Sequence, residues 1–224
     1  MKKPILALFD LDHTLLPIDS DYNWGKFLVK VGAVPAAKFE ADNQRLMDDY
    51  NAGTLDPNES LPILLAPLAA YPRSQLDAWH AQYMNEQILP AFTPQARALV
   101  AQHQNQGHLC ALVTATNTFV AGPVGAAFGL THVLATEPET LNGQFTGRWV
   151  GTPCFKAGKV TKVNEWLAGM GLSLAHFEES WFYSDSSNDI PLLEAVTHPV
   201  ACNPSESLEK TAQARGWRVI KLWD

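Results

Sequence analysis

Two aspartates follow an apolar run close to the N-terminus. The stretch LFDLDHTLL (8–16) separates Asp10 from Asp12 by a single residue, directly after a segment that is typical of a buried strand. A carboxylate such as Asp10 can attack phosphorus and form an aspartyl-phosphate. Asp12 could protonate the leaving oxygen and later deprotonate water, if the strand pattern continues and keeps both side chains on one side. A pair of loop carboxylates that only cap other groups is the alternative.

Polar side chains also follow a later apolar segment and precede a predicted helix. Thr114 comes after the second predicted strand, where its hydroxyl and the N–H groups of the next helix could bind phosphate oxygens. An ordinary helix cap is the alternative for this residue. In CFKAGKV, three lysines compete to neutralise a phosphoryl group and Asp10, namely Lys156, Lys159 and Lys162. Lys159 is favoured because it stands at the predicted helix start, from which its side chain can reach back across the sheet edge.

The segment YSDSSND supplies two more carboxylates. Asp185 ends an apolar run as Asp10 does, and Asp189 follows in the first turn of a helix. Mg²⁺ prefers carboxylates, a carbonyl and waters, and two carboxylates facing an anionic phosphate would repel it without a cation. The predicted metal ligands are therefore Asp10, Asp185, Asp189 and Asp12, the last through a nearby main-chain carbonyl. Asp189 could equally be a helix N-terminal acid that the helix dipole favours.

The elements that must position these residues follow a regular order. Continuous apolar runs predict strands buried on both faces of a parallel sheet, and they lie at 4–9, 108–113, 132–136, 180–184, 198–202 and 217–222. Helical patterns between most of them predict a doubly wound α/β core. In such a sheet, ligands bind at the carboxyl edge, where these polar residues would meet. Asn142-Gly143 predicts a hairpin turn within 139–151.

One long interval after the first strand interrupts this alternation. It shows no strand pattern, and its apolar residues repeat at helical spacing, as at Phe39, Leu46, Met47 and Tyr50. The sequence therefore predicts an α/β core formed by residues 1–16 and 90–224. A helical domain of residues 17–89 is inserted into it.

Composition narrows the possible partners. The chain has 224 residues, a formal net charge of -7 and a pI near 5.4, which disfavours a nucleic-acid binder. No stretch approaches the ~18 apolar residues of a membrane span, and the apolar run in MKKPILALFD is too short for a signal peptide. Cys110, Cys154 and Cys202 show no metal-ligand spacing and indicate free thiols in a reducing cytoplasm. The sequence does not determine the oligomeric state.

Taken in order, the motifs resemble those of the haloacid dehalogenase superfamily of aspartate-nucleophile phosphohydrolases. DLDHT matches the first motif, Thr114 the second-motif hydroxyl, Lys159 the third-motif lysine and SDSSND the fourth motif, so the resemblance covers essentially the whole chain. It implies a Rossmann-like three-layer core with a parallel sheet. It also implies a small α-helical C1 cap after the first strand, as in the phosphoserine-phosphatase-like subfamily IB. The chain departs from the family where Ser184 and Ser186 replace common glycines.

The resemblance also implies a reaction. A Mg²⁺-dependent phosphatase would use Asp10, Asp12, Thr114 and Lys159 as catalytic residues and a small phosphate monoester as its substrate. Phosphatases and phosphomutases of the superfamily carry the second aspartate of the first motif, whereas dehalogenases lack it and ion-pumping ATPases have threonine there. Asp12 therefore favours phosphate-ester chemistry.

Residues at the start of the inserted segment are expected to choose the substrate. Asp19 lies nine residues after Asp10, and in the resembling phosphoserine phosphatases an acidic residue at that place binds the substrate amino group. Asn117 and Trp24 complete the predicted substrate-binding set. The alternative is that Asp19 or Ser20 only caps the first inserted helix and that Trp24 anchors its core.

Histidinol phosphate ranks slightly ahead of phosphoserine as the substrate. Phosphoserine would need a cation for its carboxylate, and the only arginines in the inserted segment, Arg45 and Arg73, stand in no matching motif. A phosphotransferase that uses an acceptor alcohol such as homoserine stays open as an alternative, as does an inactive binding scaffold. A dinucleotide-binding domain is disfavoured because DLDHTLL lacks a glycine-rich fingerprint.

Overall fold

A mostly parallel sheet forms the centre of the fold. The computed structural model describes residues 3–223, leaving aside the side chain of residue 51. The strands are β1 (Ile5–Phe9), β2 (Leu109–Asn117), β3 (His132–Leu141), β4 (Gln144–Val150), β5 (Glu179–Ser184), β6 (His198–Cys202) and β7 (Arg218–Ile220). They form one seven-stranded sheet in the order β4-β3-β2-β1-β5-β6-β7. Every neighbouring pair is parallel except β3 and β4. The predicted α/β class is confirmed.

Helices cover both faces of the sheet and fill the interval after β1. They are α1 (Ser20–Lys30), α2 (Ala36–Ala52), α3 (Pro57–Ala69), α4 (Arg73–Tyr83), α5 (Pro94–Asn105), α6 (Thr118–Ala127), α7 (Ala157–Gly169), α8 (Ile190–Ala195) and α9 (Glu206–Arg215). A π-helical turn (Met84–Ile88) and a 3-10 turn (Leu89–Ala91) continue α4. Short 3-10 turns lie at Leu174–His176 and Ser187–Asp189. Helices α1 to α4 and the two turns after α4, residues 20–91, are named the inserted helices. Their division into a separate domain stays a prediction.

Alternating side chains of β1 contribute to two separate cores. Leu6 and Leu8 pack in the cluster that includes residues of α7, α8 and α9, whereas Ala7 and Phe9 pack with residues of α5, α6 and the inserted helices. All four side chains are fully buried. Burying a side chain as large as leucine or phenylalanine contributes about 1.5–3 kcal/mol relative to leaving it exposed. The pleat of the strand therefore explains why the run before Asp10 is continuously apolar.

The strand ends differ in part from the sequence prediction. β2 continues to Asn117 instead of ending at residue 113, because Thr114 and Thr116 alternate as buried strand residues and both hydroxyls are hydrogen-bonded. β3 and β4 form the predicted hairpin, in which Asn142 and Gly143 have φ values of 51° and 78°, as a type I′ turn requires. The polar end of β2 thus reaches the carboxyl edge of the sheet beside β1.

The three cysteines are free, as predicted, and all of them are buried. Burial raises the pKa of Cys110 to about 11, and it raises the pKa values of Cys154 and Cys202 to about 12. Thiols that stay protonated at neutral pH are poor nucleophiles, so these residues behave as small core side chains. Within residues 3–223, no helix has the length and apolar character needed to cross a membrane.

A buried histidine links α5 to β5. His103 is 4% exposed, and its Nε2 lies 2.9 Å from the hydroxyl of Tyr183. Its Nδ1 lies 2.8 Å from Nδ1 of His108. Burial, reinforced by the neighbouring His108, lowers the pKa of His103 to about 4. The folded protein therefore keeps this imidazole neutral at a pH where an exposed histidine would be charged.

We expect His103 to make the folded state sensitive to acid. Between pH 6.5 and 4 the unfolded chain binds a proton that the folded chain does not bind at His103, so stability falls as the pH falls. The loss is on the order of 3 kcal/mol. Denaturant unfolding measured across this range should show a flatter pH dependence in His103→Gln than in the wild type. Parallel pH profiles would contradict this role.

Candidate active site

The carboxyl ends of neighbouring strands bring the motif residues to one edge of the sheet. β1 lies between β2 and β5. Asp10 directly follows β1, and its N–H donates to the carbonyl of Tyr183 at 2.9 Å, which continues the pairing with β5. Asp185 directly follows β5, and Thr114 lies in the polar end of β2. Parallel pairing thus delivers side chains that are distant in sequence to one place.

Lys159 lies between two carboxylates at this edge. It belongs to the first turn of α7 and is 3% exposed. Its Nζ donates to Oδ1 of Asp10 at 2.8 Å and to Oδ2 of Asp189 at 2.6 Å. Burial by itself would lower the pKa of Lys159, but the charges of Asp10 and Asp189 outweigh burial and raise it. The ammonium group is therefore a permanent positive charge beside Asp10.

Thr14 connects Asp10 with Asp185. The threonine hydroxyl lies 3.3 Å from Oδ2 of Asp10 and 3.2 Å from Oδ1 of Asp185, and it accepts the N–H of Asp185 at 3.0 Å. Burial, followed by the charges of Asp10 and Asp189, raises the pKa of Asp185 to about 8. Burial also raises the pKa of Asp189. Asp10, Lys159, Asp185 and Asp189 are named the acidic cluster.

The acidic cluster has an excess of negative charge when its carboxyl groups are ionised. It holds three carboxyl groups and one ammonium group, and a divalent cation beside Asp10 and Asp185 would offset this excess. Within the described part of the chain, no group of three or more His, Cys, Asp or Glu side chains could hold a metal ion. Thr14 holds the carboxylates of Asp10 and Asp185 near each other, and together with the predicted carbonyl near Asp12, water and a phosphate oxygen they would make the usual composition of a Mg²⁺ site. The residues present fit this ion.

The side chain of Asp12 has its hydrogen-bond partners outside the acidic cluster. Its Oδ1 accepts the N–H of Ser20 at 2.6 Å, and its Oδ2 accepts the hydroxyl of Thr116 at 2.7 Å. Burial, followed by the charge of Asp19, raises the pKa of Asp12 to about 6, although these hydrogen bonds act in the opposite direction. A carboxyl group with such a pKa can both donate and accept a proton near neutral pH.

Further carboxylates stand at the start of α1. Oδ1 of Asp19 accepts the N–H of Tyr22 at 2.8 Å, so Asp19 caps the helix. Burial, followed by the charges of Asp19 and Asp12, raises the pKa of Asp21 to about 8. Asn117 caps α6 and its Nδ2 lies 3.5 Å from Oδ1 of Asp21. Asp12, Asp19 and Asp21 therefore form a group of neighbouring carboxyls, which are named the α1 carboxyls.

Trp24 lies in an aromatic core, with 4% of its surface exposed. Its ring packs within 5.4–5.7 Å of four other rings, those of Phe27, His80, Tyr83 and Phe119. These contacts are the ones expected if Trp24 anchors the core of the first inserted helix. A contact of Trp24 with substrate stays a prediction.

The competing lysines and the predicted phosphate hydroxyl occupy distinct positions. Nζ of Lys156 donates to the carbonyl of Gly53 at 2.8 Å. Lys159 is the lysine of CFKAGKV that pairs with Asp10, as predicted from its position at the helix start. Oγ1 of Thr114 accepts the N–H of Thr116 at 3.1 Å, which leaves the threonine proton available to a ligand. Thr114 is 1% exposed.

Sequence reasoning missed four hydroxyl groups of the site, those of Thr14, Thr116, Ser184 and Ser186. Thr14 and the two serines stand inside quoted motifs, but nothing in their spacing reveals their partners. Thr116 reaches Asp12 across 104 residues of sequence. A strand that continues past residue 113 in alternating polar residues was the available signal for Thr116.

Comparisons with known proteins show to which family the chain is similar. A family model described as haloacid dehalogenase-like hydrolase matches residues 7–194. A histidinol-phosphatase of Neisseria meningitidis serogroup C (strain 8013) is 44% identical over 218 residues, covering 97% of this chain and 98% of the relative. A crystal structure of a protein with unknown function from Bordetella pertussis Tohama I is 53% identical and has a TM-score of 0.94, covering 99% of this chain and 100% of that one. A substrate-bound phosphoserine phosphatase complex, 18% identical with a TM-score of 0.69, covers 98% of this chain and 93% of its own and shares the fold.

The fold, the acidic cluster and these similarities define an enzyme of the phosphatase class. The chain belongs to the family of haloacid dehalogenase-like hydrolases. The resemblance drawn from the motifs is thereby confirmed.

Proposed function

We propose that the enzyme hydrolyses a small phosphate monoester in two steps, with Asp10 as the nucleophile. The supporting observation is the buried hydrogen bond from Lys159 to Oδ1 of Asp10, which orients the carboxylate at the sheet edge. In the first step an oxygen of Asp10 bonds to phosphorus, and the ester oxygen leaves with the electron pair of the broken P–O bond. The intermediate is an aspartyl-phosphate on Asp10.

Asp12 is proposed to move the protons of both steps. It protonates the leaving oxygen in the first step and removes a proton from the attacking water in the second. The water oxygen bonds to phosphorus, and the Asp10–phosphorus bond breaks to release inorganic phosphate and the original carboxylate. The hydrogen bonds from Ser20 and Thr116 hold Asp12 for this role.

Positive charge and hydrogen-bond donors are proposed to stabilise the transferring phosphoryl group. Lys159 and the hydroxyl of Thr114 would act on its oxygens, and such preorganised groups supply much of the rate enhancement in phosphoryl transfer. Asp189 would act through Lys159, to which it is bonded. Mg²⁺ held by Asp10, Asp185 and the carbonyl of Asp12 would supply further positive charge.

Histidinol phosphate is the proposed substrate. Support comes from the similarity to the relative named histidinol-phosphatase. An ammonium group beside Asp12, Asp19 and Asp21 would favour the ionised forms of these carboxyl groups, whereas a substrate carboxylate would oppose their ionisation, so a substrate that has an amino group and no carboxylate is favoured. Phosphoserine carries a carboxylate and is therefore the second candidate. We further propose that residues 17–89 act as a cap domain that selects between them.

A panel of phosphate esters tests this proposal. With Mg²⁺ present, we expect kcat/KM to be highest for L-histidinol phosphate, lower for phosphoethanolamine and O-phospho-L-serine, and lowest for 4-nitrophenyl phosphate, which lacks an amino group. The reason is the group of carboxyls formed by Asp12, Asp19 and Asp21, whose ionised forms attract the ammonium group and repel the carboxylate of phosphoserine. Chelation of Mg²⁺ by EDTA should remove activity on every ester, and added Mg²⁺ should restore it.

Released products distinguish hydrolysis from phosphotransfer. Hydrolysis releases inorganic phosphate in the same amount as the alcohol, even with excess homoserine, whereas a phosphotransferase would form a phosphorylated acceptor. A preference for 4-nitrophenyl phosphate over all three amino-bearing esters would refute the proposed substrate class.

A further inference from the structure

The serines that flank Asp185 are both engaged in hydrogen bonds. Oγ of Ser184 donates to Oδ2 of Asp189 at 2.7 Å and accepts the N–H of Ser186 at 3.1 Å. Ser184 therefore supports the carboxylate that holds Lys159. Oγ of Ser186 accepts the N–H of Asn188 at 3.2 Å, which caps the following turn, and it has a second partner outside this loop.

That second partner is Tyr50, near the end of α2 in the inserted helices. Its hydroxyl lies 2.6 Å from Oγ of Ser186, although the two residues are 136 positions apart. Burial raises the pKa of Tyr50, hydrogen bonds with Ser186 and Asn188 act in the opposite direction, and the charges of Asp185 and Asp10 add to the rise. Because Ser186 directly follows Asp185, the hydrogen bond places the tyrosine hydroxyl close to the acidic cluster. A glycine at position 186 would take away the Ser186 hydroxyl as a partner of Tyr50.

A second contact joins the same end of α2 to the sheet edge. Nζ of Lys156 donates to the carbonyl of Gly53 at 2.8 Å. The rings of Tyr50 and Phe155 are 6.4 Å apart at an interplanar angle of 40°. The end of α2 thus touches two loops, the one that leads into α7 and the one that carries Asp185.

We infer that Tyr50 is a positioning residue that holds the inserted helices closed over the acidic cluster through its hydrogen bond to Ser186. This inference rests on the proposed function and adds to it a residue that couples substrate enclosure to the Asp185 loop. Because the bond crosses from the inserted helices to the sheet edge, an opening movement of the helices must break it. Its loss should weaken binding of the ester more than it slows the chemical step.

Two substitutions remove this hydrogen bond from opposite sides. Tyr50→Phe keeps the ring, and Ser186→Ala removes the hydroxyl without adding backbone freedom. With Mg²⁺ and either L-histidinol phosphate or 4-nitrophenyl phosphate, each variant should raise KM about fivefold to tenfold and change kcat less than about twofold. In the Ser186→Ala background, Tyr50→Phe should raise KM much less than it does in the wild type, because the hydrogen bond between Tyr50 and Ser186 is already absent.

Tyr71→Phe is the matched control, since its hydroxyl donates to the carbonyl of Ala33 at 2.7 Å within the inserted helices. It should leave KM unchanged even if it lowers Tm. Hydrogen exchange over residues 45–53 of the ligand-free protein gives a readout that needs no turnover, and it should be faster in both Tyr50→Phe and Ser186→Ala. Wild-type protein that hydrolyses neither ester would overturn the proposed function, while the exchange data would still decide this inference. Unchanged exchange in Tyr50→Phe, or multiplying KM effects in the double variant, would overturn it.

Discussion

Asp10→Asn is expected to abolish turnover without unfolding the protein. The asparagine oxygen can still accept the hydrogen bond that Lys159 gives to Asp10 at 2.8 Å, but an amide is not a nucleophile toward phosphorus. Removing the group that forms the covalent bond should lower kcat by at least about 10⁴-fold, as loss of the nucleophile does in other covalent enzymes. Steady-state release of inorganic phosphate measures the loss, and thermal unfolding confirms that the fold is retained.

The exposed Asp77 offers a matched control for this substitution. Its carboxylate pairs with Arg73, four residues earlier, at 2.7 Å, and 54% of its side chain is exposed. Asp77 has no role in the proposed reaction. Asp77→Asn should therefore keep wild-type kcat and Tm. Substantial kcat in Asp10→Asn would remove Asp10 as the nucleophile.

Lys159→Met is expected to damage both stability and activity. The ammonium group is buried between Asp10 and Asp189, so its removal leaves two buried carboxylates without their cation. Breaking such a pair from one side costs about 3–5 kcal/mol of the free energy of unfolding. Loss of a positive charge beside the phosphoryl group should also lower kcat by about 10²–10³-fold in the protein that remains folded. Denaturant unfolding and phosphate release measure the two effects.

Lys210→Met separates this result from a general effect of losing a lysine. Lys210 pairs with Glu206 on the surface of α9, with 72% and 82% of the two side chains exposed. Exposed pairs of this kind contribute little, so the variant should stay within about 0.5 kcal/mol of the wild type. Equal stability losses in the two lysine variants would refute the special role of the buried ammonium.

The sequence was sufficient to predict which strand ends meet at the carboxyl edge of the sheet, but not which side chains form hydrogen bonds there. The run before Asp10 is continuously apolar because both faces of β1 are buried, and β5 carries a shorter apolar run, Trp181–Tyr183, just before Ser184 and Asp185. Parallel topology then requires both aspartates to lie at one edge. The fold class and the family followed from this pattern and from the motif order.

The spacing of the motif residues in the sequence could not predict the directions in which their side chains point. Asp10 and Asp12 are two residues apart, yet Asp10 bonds to Lys159 and Asp12 bonds to Ser20 and Thr116, because the chain turns after β1. The polar end of β2 looked like a helix start because its threonines interrupt the apolar run. Tyr50 gave no signal beyond helical spacing, since its partner is set by how the inserted helices pack. The roles assigned to these residues remain proposals for experiment.

A crystal structure with Mg²⁺ and beryllium fluoride tests the central claim most directly. Beryllium fluoride imitates a phosphoryl group bonded to a carboxylate, so it should be found on an oxygen of Asp10. Mg²⁺ should bind beside it, held by Asp10, Asp185 and the carbonyl of Asp12, with Lys159 donating to the analogue or to Asp10. Beryllium fluoride bound to another side chain, or Mg²⁺ bound away from Asp185, would contradict the account.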